Sequence, residues 1–197
     1  MDRAGLRRKL LKAQAEAGDI VLLFGGESES LTHPYLAHAW AKRGADLRVP
    51  APGQAAKVAM LGVLDWARRD LLVRTSRTKR SSDVVALPAE IDRRWGPRPG
   101  EVIPPVVLVL DNGPVHTSKA ARAALAERAH WLAVEWLPKH APELNDIEAV
   151  WRVLKRYHLA HRTFTGPQDL DRAIHDAVVA LNAERSRHPL GSHQIAA

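Results

Sequence analysis

Two carboxylates lie where an α/β protein commonly places its chemistry. Asp111 directly follows the apolar run Val106–Leu110, and Glu148 lies in the first turn of a helix predicted to begin at Asn145. Side chains at the ends of buried strands project into the crevice at the edge of a sheet, so the two acids can meet there. Carboxylate oxygens are ligands for Mg²⁺, and a pair of such ions can promote displacement at a phosphodiester.

Each acid also has a purely structural explanation. Asp111 begins an Asp-Asn-Gly-Pro stretch, which is favourable turn chemistry. A carboxylate near a helix N-terminus, such as Glu148, is stabilised by the helix dipole. The pair is therefore a stronger indication of a metal site than either residue alone.

The elements that must position these acids form one α/β domain. The predicted helices cover residues 3–17, 81–95, 117–128, 145–161 and 168–185, and the predicted strands cover residues 19–24, 57–66, 71–75, 106–110 and 132–137. Gly25 and Gly26 are expected to end the first strand, and residues 28–55 to be irregular, with room for a short helix at residues 35–43. A hairpin followed by alternating strands and helices predicts a mixed sheet with helices on both faces.

Composition limits the classes of protein and partner. The chain has 197 residues, 46% of them hydrophobic, which suits a single packed domain. The absence of cysteine excludes disulfides, thiolate zinc sites and a cysteine nucleophile. With no long apolar run and no signal peptide, we expect a soluble cytoplasmic protein without a membrane partner. The net charge of +7 favours a polyanionic partner.

Two groups of basic residues are candidates for phosphate contacts. The first lies in the densest basic stretch and the second follows Glu148 along its helix. The members are Arg74, Arg77, Lys79 and Arg80 in the first group, and Arg152, Lys155 and Arg156 in the second. A charged strand edge and a solvated helix face explain these residues equally well.

Two sequence blocks resemble the catalytic domain of mariner-like bacterial insertion-sequence transposases. The first is Asp-Asn-Gly-Pro-Val-His at residues 111–116, and the second runs from Trp136 to Trp151 as Trp-Leu-Pro-Lys-His-Ala-Pro-Glu-Leu-Asn-Asp-Ile-Glu-Ala-Val-Trp. In that family the blocks carry the second and third acids of an Asp-Asp-Glu triad. Here 36 residues separate Asp111 from Glu148, a spacing that the family uses.

The resemblance implies a ribonuclease H-like fold with a mixed five-stranded sheet, in which three antiparallel strands precede parallel additions. It places an N-terminal helix or linker at residues 1–18, the catalytic domain at residues 19–190 and a tail at residues 191–197. The implied activity is metal-dependent nicking of element ends followed by strand transfer to target DNA. Asp111 and Glu148 would hold Mg²⁺ or Mn²⁺ in a two-metal site.

The chain departs from the family pattern at the first acid. An Asp-Glu pair normally ends the first strand, and here Gly26 stands at the Asp position and is followed by Glu27. Neighbours on an extended strand point to opposite faces, so Glu27 could replace the Asp only if the glycine pair bends the backbone. Glu29 has the right parity but lies two residues further on. We therefore expect impaired catalysis and a defective metal site.

Three further residues are candidates for supporting the acids. Asn112 could hydrogen-bond near the metal or only form the turn. His116 could orient substrate or a metal ligand, or only enter the next helix. Asn145 could support the site, although capping of the Glu148 helix is the simpler expectation.

Partners and alternatives also follow from the resemblance. DNA is the expected partner, and a homodimer is an option. Only about 18 residues precede the first strand, too few for the helix-turn-helix region of the family, so either a separately encoded part supplies it or the chain is a truncated remnant. Two alternatives stay open: a non-catalytic remnant that binds nucleic acid or a partner, and another ribonuclease H-like nuclease.

Overall fold

A five-stranded mixed sheet forms the centre of the computed structural model, which describes residues 3–38, 40–51, 53–77, 81–139 and 141–186. The strands are β1 (Val21–Leu31), β2 (Lys57–Asp65), β3 (Asp70–Ser76), β4 (Val106–Leu110) and β5 (Leu132–Trp136). Their order is β3-β2-β1-β4-β5. The first three strands pair antiparallel, and β4 and β5 are added in parallel. The predicted sheet is confirmed.

Helices cover both faces of the sheet. One face packs against α1 (Arg3–Ala17), α4 (Asp146–Val153) and α5 (Pro167–Ser186), and we call it the α4 face. The other face packs against α2 (Ser81–Trp95) and α3 (Lys119–Ala126), and we call it the α2 face. Alternate residues of β1 and β4 enter the two cores, as the period-two geometry of a strand requires.

The end of β1 was predicted wrongly. The strand does not stop at Gly25-Gly26 but continues to Leu31, and its pairing with β2 runs without a bulge from Leu23 opposite Asp65 to Leu31 opposite Lys57. Glycine weakens a strand locally, but here the long partner strand supplies the hydrogen bonds that keep the backbone extended. The extension also shortens the irregular segment, in which none of the described residues is helical.

The helix predicted over residues 145–161 is also shorter than expected. Regular α-helix ends at Val153, and a π-helical turn, Leu154–His158, follows it. Leu154 within this turn is fully buried, so packing of the turn continues the apolar face of α4.

The packing of α4 on the sheet depends on an aromatic residue and a glycine. Trp151 is 2% exposed and lies over Gly62 of β2, where a β-carbon would be only 2.6 Å from the indole ring. Any larger residue at position 62 would therefore push the helix away from the sheet. This contact sets the distance between α4 and the sheet, and with it the position of Glu148.

Lys79, Arg80 and the tail predicted at residues 191–197 lie outside the described residues. Among the described helices, none is both long enough and apolar enough to cross a membrane.

Candidate active site

The register of β1 and β4 places Gly26 beside Asp111. Phe24 pairs with Val109 at the end of the ladder, so Gly26 lies on the same face as Phe24 and level with Asp111, which follows the end of β4. That face is the α4 face, because Phe24 and Val109 both belong to its core. A β-carbon at Gly26 would lie 3.6 Å from Oε1 of Glu148. Position 26 is therefore the point at which a third acid would join the other two.

Ile147 occupies part of the space that a side chain at position 26 would need. A β-carbon at Gly26 would lie 2.8 Å from Cγ2 of Ile147, which is closer than ordinary van der Waals contact. Ile147 is fully buried, and its Cγ2 is attached directly to the β-carbon, so it cannot move away without a change of rotamer or backbone. The packing around Gly26 is therefore closed on the α4 face.

Asn145 does not cap α4 as predicted. It occupies the N-cap position, but its side chain makes no capping hydrogen bond. Instead Nδ2 donates a 3.0 Å hydrogen bond to the carbonyl oxygen of Gly25 and ties the start of α4 to β1. Its Oδ1 is buried without a hydrogen-bond partner among the described residues, next to the position from which a side chain is missing. Tertiary contact overrode the local capping preference.

Glu27 emerges on the opposite face from Gly26. Because β1 is not bent at the glycine pair, Glu27 does not take the place of the missing acid. Its Oε2 lies 2.6 Å from Nε2 of His116, which is 1% exposed. The same Nε2 is 3.7 Å from Oδ1 of Asp111. One ligand atom from each of the three residues lies within 4.8 Å of the other two.

The charges of this group affect one another. Burial, the largest influence, raises the pKa of Glu148, and repulsion by Asp111 and Glu27 raises it further. Burial disfavours the charged form of His116, but the hydrogen bond to Glu27 and the charges of Glu27 and Asp111 outweigh it, so the pKa of His116 is raised. The three acids and the histidine therefore form one electrostatic unit across the edge of the sheet.

Hydrogen bonds hold the turn that carries Asp111. The backbone N–H of Gly113 donates to Oδ1 of Asp111 over 2.9 Å, and Nδ2 of Asn112 donates to the carbonyl oxygen of Leu137. Asn112 therefore joins the turn to the end of β5 rather than contacting the acids. A cleft of about 450 Å³ opens beside Asp111, between this turn and residues 138, 139, 141 and 142. This cleft gives solvent and solutes access to Asp111.

The described basic candidates lie around the acids in different ways. Arg152 and Lys155 are close enough to Glu148 to lower its pKa, against the dominant effect of burial. Arg156 lies over the ring of Tyr157. Arg74 is within 3.4 Å of the Glu90 carboxylate of α2, and Arg77 is exposed just beyond the end of β3. Among the described basic candidates, Arg152 and Lys155 are therefore the ones that lower the pKa of Glu148.

A family model for DDE superfamily endonucleases matches residues 21–171, which contain Gly26, Asp111 and Glu148. The chain belongs to this family. The family-model match covers the whole sheet and all elements that carry the site. Among curated protein sequences, none matches this DDE chain significantly.

Solved structures share the fold of this DDE domain at low sequence identity. The Mos1 transposase paired-end complex with left transposon end has a TM-score of 0.63 and 15% identity, over 94% of this chain and 56% of that chain. The Mos1 mariner paired-end complex with Mn has a TM-score of 0.56 and 14% identity, over 94% and 59%. A simian T-cell lymphotropic virus intasome with PP2A subunit B56 gamma has a TM-score of 0.54 and 14% identity, over 80% and 46%.

These likenesses confirm the ribonuclease H-like fold predicted for the DDE domain. The chain spans little more than half the length of the Mos1 chains that it matches. Divalent metal use is a property of DDE enzymes, so the donor set of this chain can be tested against it.

The donor set of this DDE domain does not fit a pair of bridged ions. Asp111 and Glu148 supply carboxylate oxygens, but position 26, which lies between them, has no side chain, and Ile147 fills part of the space. Nδ2 of Asn145 and Oε1 of Glu148 would each lie 3.6 Å from a β-carbon at position 26, and Oδ1 of the same Asn145 is buried without a hydrogen-bond partner among the described residues. The closed packing by Ile147 could not be foreseen, because the sequence shows which residue is missing but not what replaces it.

Proposed function

We propose that this chain is the catalytic domain of a DNA transposase in which strand nicking and strand transfer are impaired. The observation that carries this proposal is the arrangement of position 26, Asp111 and Glu148 around one point on the α4 face, with glycine at the first position. The family match and the fold support the domain type.

The expected reaction is displacement at phosphorus without a covalent protein intermediate. A water oxygen forms a bond to the phosphorus of a phosphodiester at the element end, and the 3′ oxygen leaves as a hydroxyl. This hydroxyl then attacks a phosphodiester of target DNA in the same way. Asp111 and Glu148 stand where the family resemblance expects two of the metal-holding acids, and position 26 brings no third carboxylate to them on the α4 face.

Basic residues near the acids support DNA as the substrate. Arg152 and Lys155 lie close enough to Glu148 to influence its pKa. Arg74 lies opposite Leu61, which lies opposite Glu27, so Arg74 and Glu27 are about 10 Å apart across two strand spacings. Phosphates of a strand bound at the acids would be within reach of these cations. A separately encoded DNA-reading part and a homodimer complete the proposed assembly.

A non-catalytic remnant that keeps the fold and binds nucleic acid is the second candidate. The glycine at position 26 favours it, because the family chemistry requires an acid there. The two candidates differ in residual metal-dependent cleavage, which the transposase domain retains at a low level and the remnant lacks.

A nicking assay on supercoiled plasmid with Mn²⁺ tests the proposal. We expect slow nicking by the unmodified chain, at least about tenfold faster nicking by Gly26→Asp, and none by Asp111→Asn. Gly26→Ala is the matched control, since it adds the β-carbon without the carboxylate and should not accelerate the reaction. Equal rates for the unmodified chain and Gly26→Asp would contradict impairment.

The contact with Ile147 requires a second variant. Leucine has nearly the volume of isoleucine but lacks the methyl group on its β-carbon, so Gly26→Asp combined with Ile147→Leu relieves the close contact. We expect this double variant to nick faster than Gly26→Asp alone. Cleavage of RNA–DNA hybrids in preference to DNA would instead indicate another ribonuclease H-like nuclease.

A further inference from the structure

Glu27, Asp111 and His116 form a group of possible metal-ligand side chains that shares Asp111 with the Asp111–Glu148 pair but does not include Glu148. Their mutual distances are 2.6 Å from His116 Nε2 to Glu27 and 3.7 Å from the same atom to Asp111. Ligand atoms around a divalent transition-metal ion lie about 3.0–3.4 Å apart when the metal–ligand bonds are about 2.1 Å. The observed distances fall on either side of this range, so small side-chain rotations would place all three ligands on one ion.

The burial of the group is graded in a way that suits ion entry. The His116 side chain is 1% exposed, that of Glu27 20% and that of Asp111 44%. An imidazole at the base is therefore covered by two carboxylates, the outer of which borders the 450 Å³ cleft. The ion would enter past Asp111 and meet His116 last.

The carboxylate of Asp111 is already oriented for this role. The Gly113 N–H donates to its Oδ1, and hydrogen bonds of this kind fix the direction of a ligating carboxylate. On the α4 face Asp111 has no acidic neighbour at position 26, whereas towards the α2 face it meets Glu27 and His116. With glycine at position 26, Glu27 and His116 are the side chains whose ligand atoms lie within 4.8 Å of those of Asp111.

We propose that this chain binds one divalent transition-metal ion through Glu27, Asp111 and His116, in place of the bridged pair of ions that its donor set does not fit. A nitrogen donor favours such ions over Mg²⁺, which takes oxygen ligands. Glu148 is not part of the site. Metal binding at this group does not depend on whether the chain cuts DNA, so its test uses protein and metal alone.

Titration of the full chain with Mn²⁺, followed by electron paramagnetic resonance of the free ion, tests the stoichiometry and the ligands. We expect one bound ion, and pulsed resonance should detect coupling to an imidazole nitrogen. Mg²⁺ should displace Mn²⁺ only at an excess of about tenfold or more. His116→Gln should remove the nitrogen coupling and weaken Mn²⁺ binding at least about tenfold, and Glu27→Gln should weaken it similarly.

Two matched variants separate this site from the family arrangement. Glu29→Gln should change Mn²⁺ affinity by less than about twofold, and Glu148→Gln should weaken it less than Glu27→Gln does, since neither Glu29 nor Glu148 belongs to the group. Circular dichroism and thermal unfolding without metal show whether His116→Gln is folded, and Glu27→Gln tests the proposal at a more exposed position. Absence of binding, two bound ions, missing nitrogen coupling, or affinity that depends on Glu148 and not on Glu27 would each overturn the proposal.

Discussion

The site is built from two regions that differ in how completely they follow the DDE pattern. The β4–α4 region supplies Asp111 and Glu148, both at the positions expected from the family. In the β1 segment, residues 25–27, a side chain at Gly25 would face the core on the α2 face and a side chain at Gly26 would face the core on the α4 face, but both positions are glycine. The sheet nevertheless continues through the segment without a bulge. This domain therefore forms its sheet with a glycine at the position where the family resemblance expects an acid.

The two regions differ because apolar packing, rather than the acids, stabilises the fold around the site. Apolar packing holds α4 on the sheet, with Trp151 and Ile147 both almost fully buried. A carboxylate at position 26 would contribute little to this packing, and like charges close to Asp111 and Glu148 would repel it. Loss of the acid therefore leaves the fold intact, and neighbouring apolar groups fill the space.

The largest expected effect comes from breaking the packing of the β4–α4 region. Trp151→Ala removes the indole that lies over Gly62 and leaves a large cavity, so the free energy of unfolding should fall by about 3–5 kcal/mol. Urea unfolding measures this change. Tyr157→Ala is the control, because that aromatic side chain is 69% exposed, and a comparable loss there would contradict the assigned role of Trp151.

A smaller effect is expected where the two regions are joined. Asn145→Ala removes the hydrogen bond from α4 to the Gly25 carbonyl, so the free energy of unfolding should fall by about 1–2 kcal/mol. Gln168→Ala, at an exposed amide of α5, is the control for the same measurement and should have almost no effect. If both variants unfold alike, Asn145 does not connect the two regions.

The smallest effect concerns the charge pair on the β1 segment. Glu27 raises the pKa of His116 in the folded chain. The pair of Glu27 with protonated His116 therefore stabilises the fold fully below about pH 6.5, the ordinary pKa of histidine, and this stabilisation is lost as the pH rises through the raised pKa of His116. In chelator, Glu27→Gln should therefore be destabilised relative to the unmodified chain more at about pH 5.5 than at pH 8.5. Glu29→Gln serves as the comparison, and a difference that does not change with pH would argue against the pair.

Local patterns predicted most of the scaffold. The helix at residues 3–17 and the strand at residues 106–110 were predicted with the observed bounds. The helix has apolar residues at helical spacing, the strand is an uninterrupted apolar run, and each has a distinct end signal. The end of β1 was predicted wrongly, because a glycine pair is typical of the end of a strand, whereas here the long partner strand β2 pairs with β1 beyond the glycines. The capping role of Asn145 was wrong for a similar reason, since its partner belongs to a distant strand.

The sequence by itself determined the order of the elements, the position of Asp111 after a buried strand, the placement of Glu148 on a helix and the absence of an acid at position 26. Only the tertiary structure decided that Ile147 closes the gap and that Glu27 pairs with His116 instead of replacing the missing acid. Periodicity acts over a few residues, whereas Glu27 and His116 are 89 residues apart and meet only because β1 and β4 lie side by side.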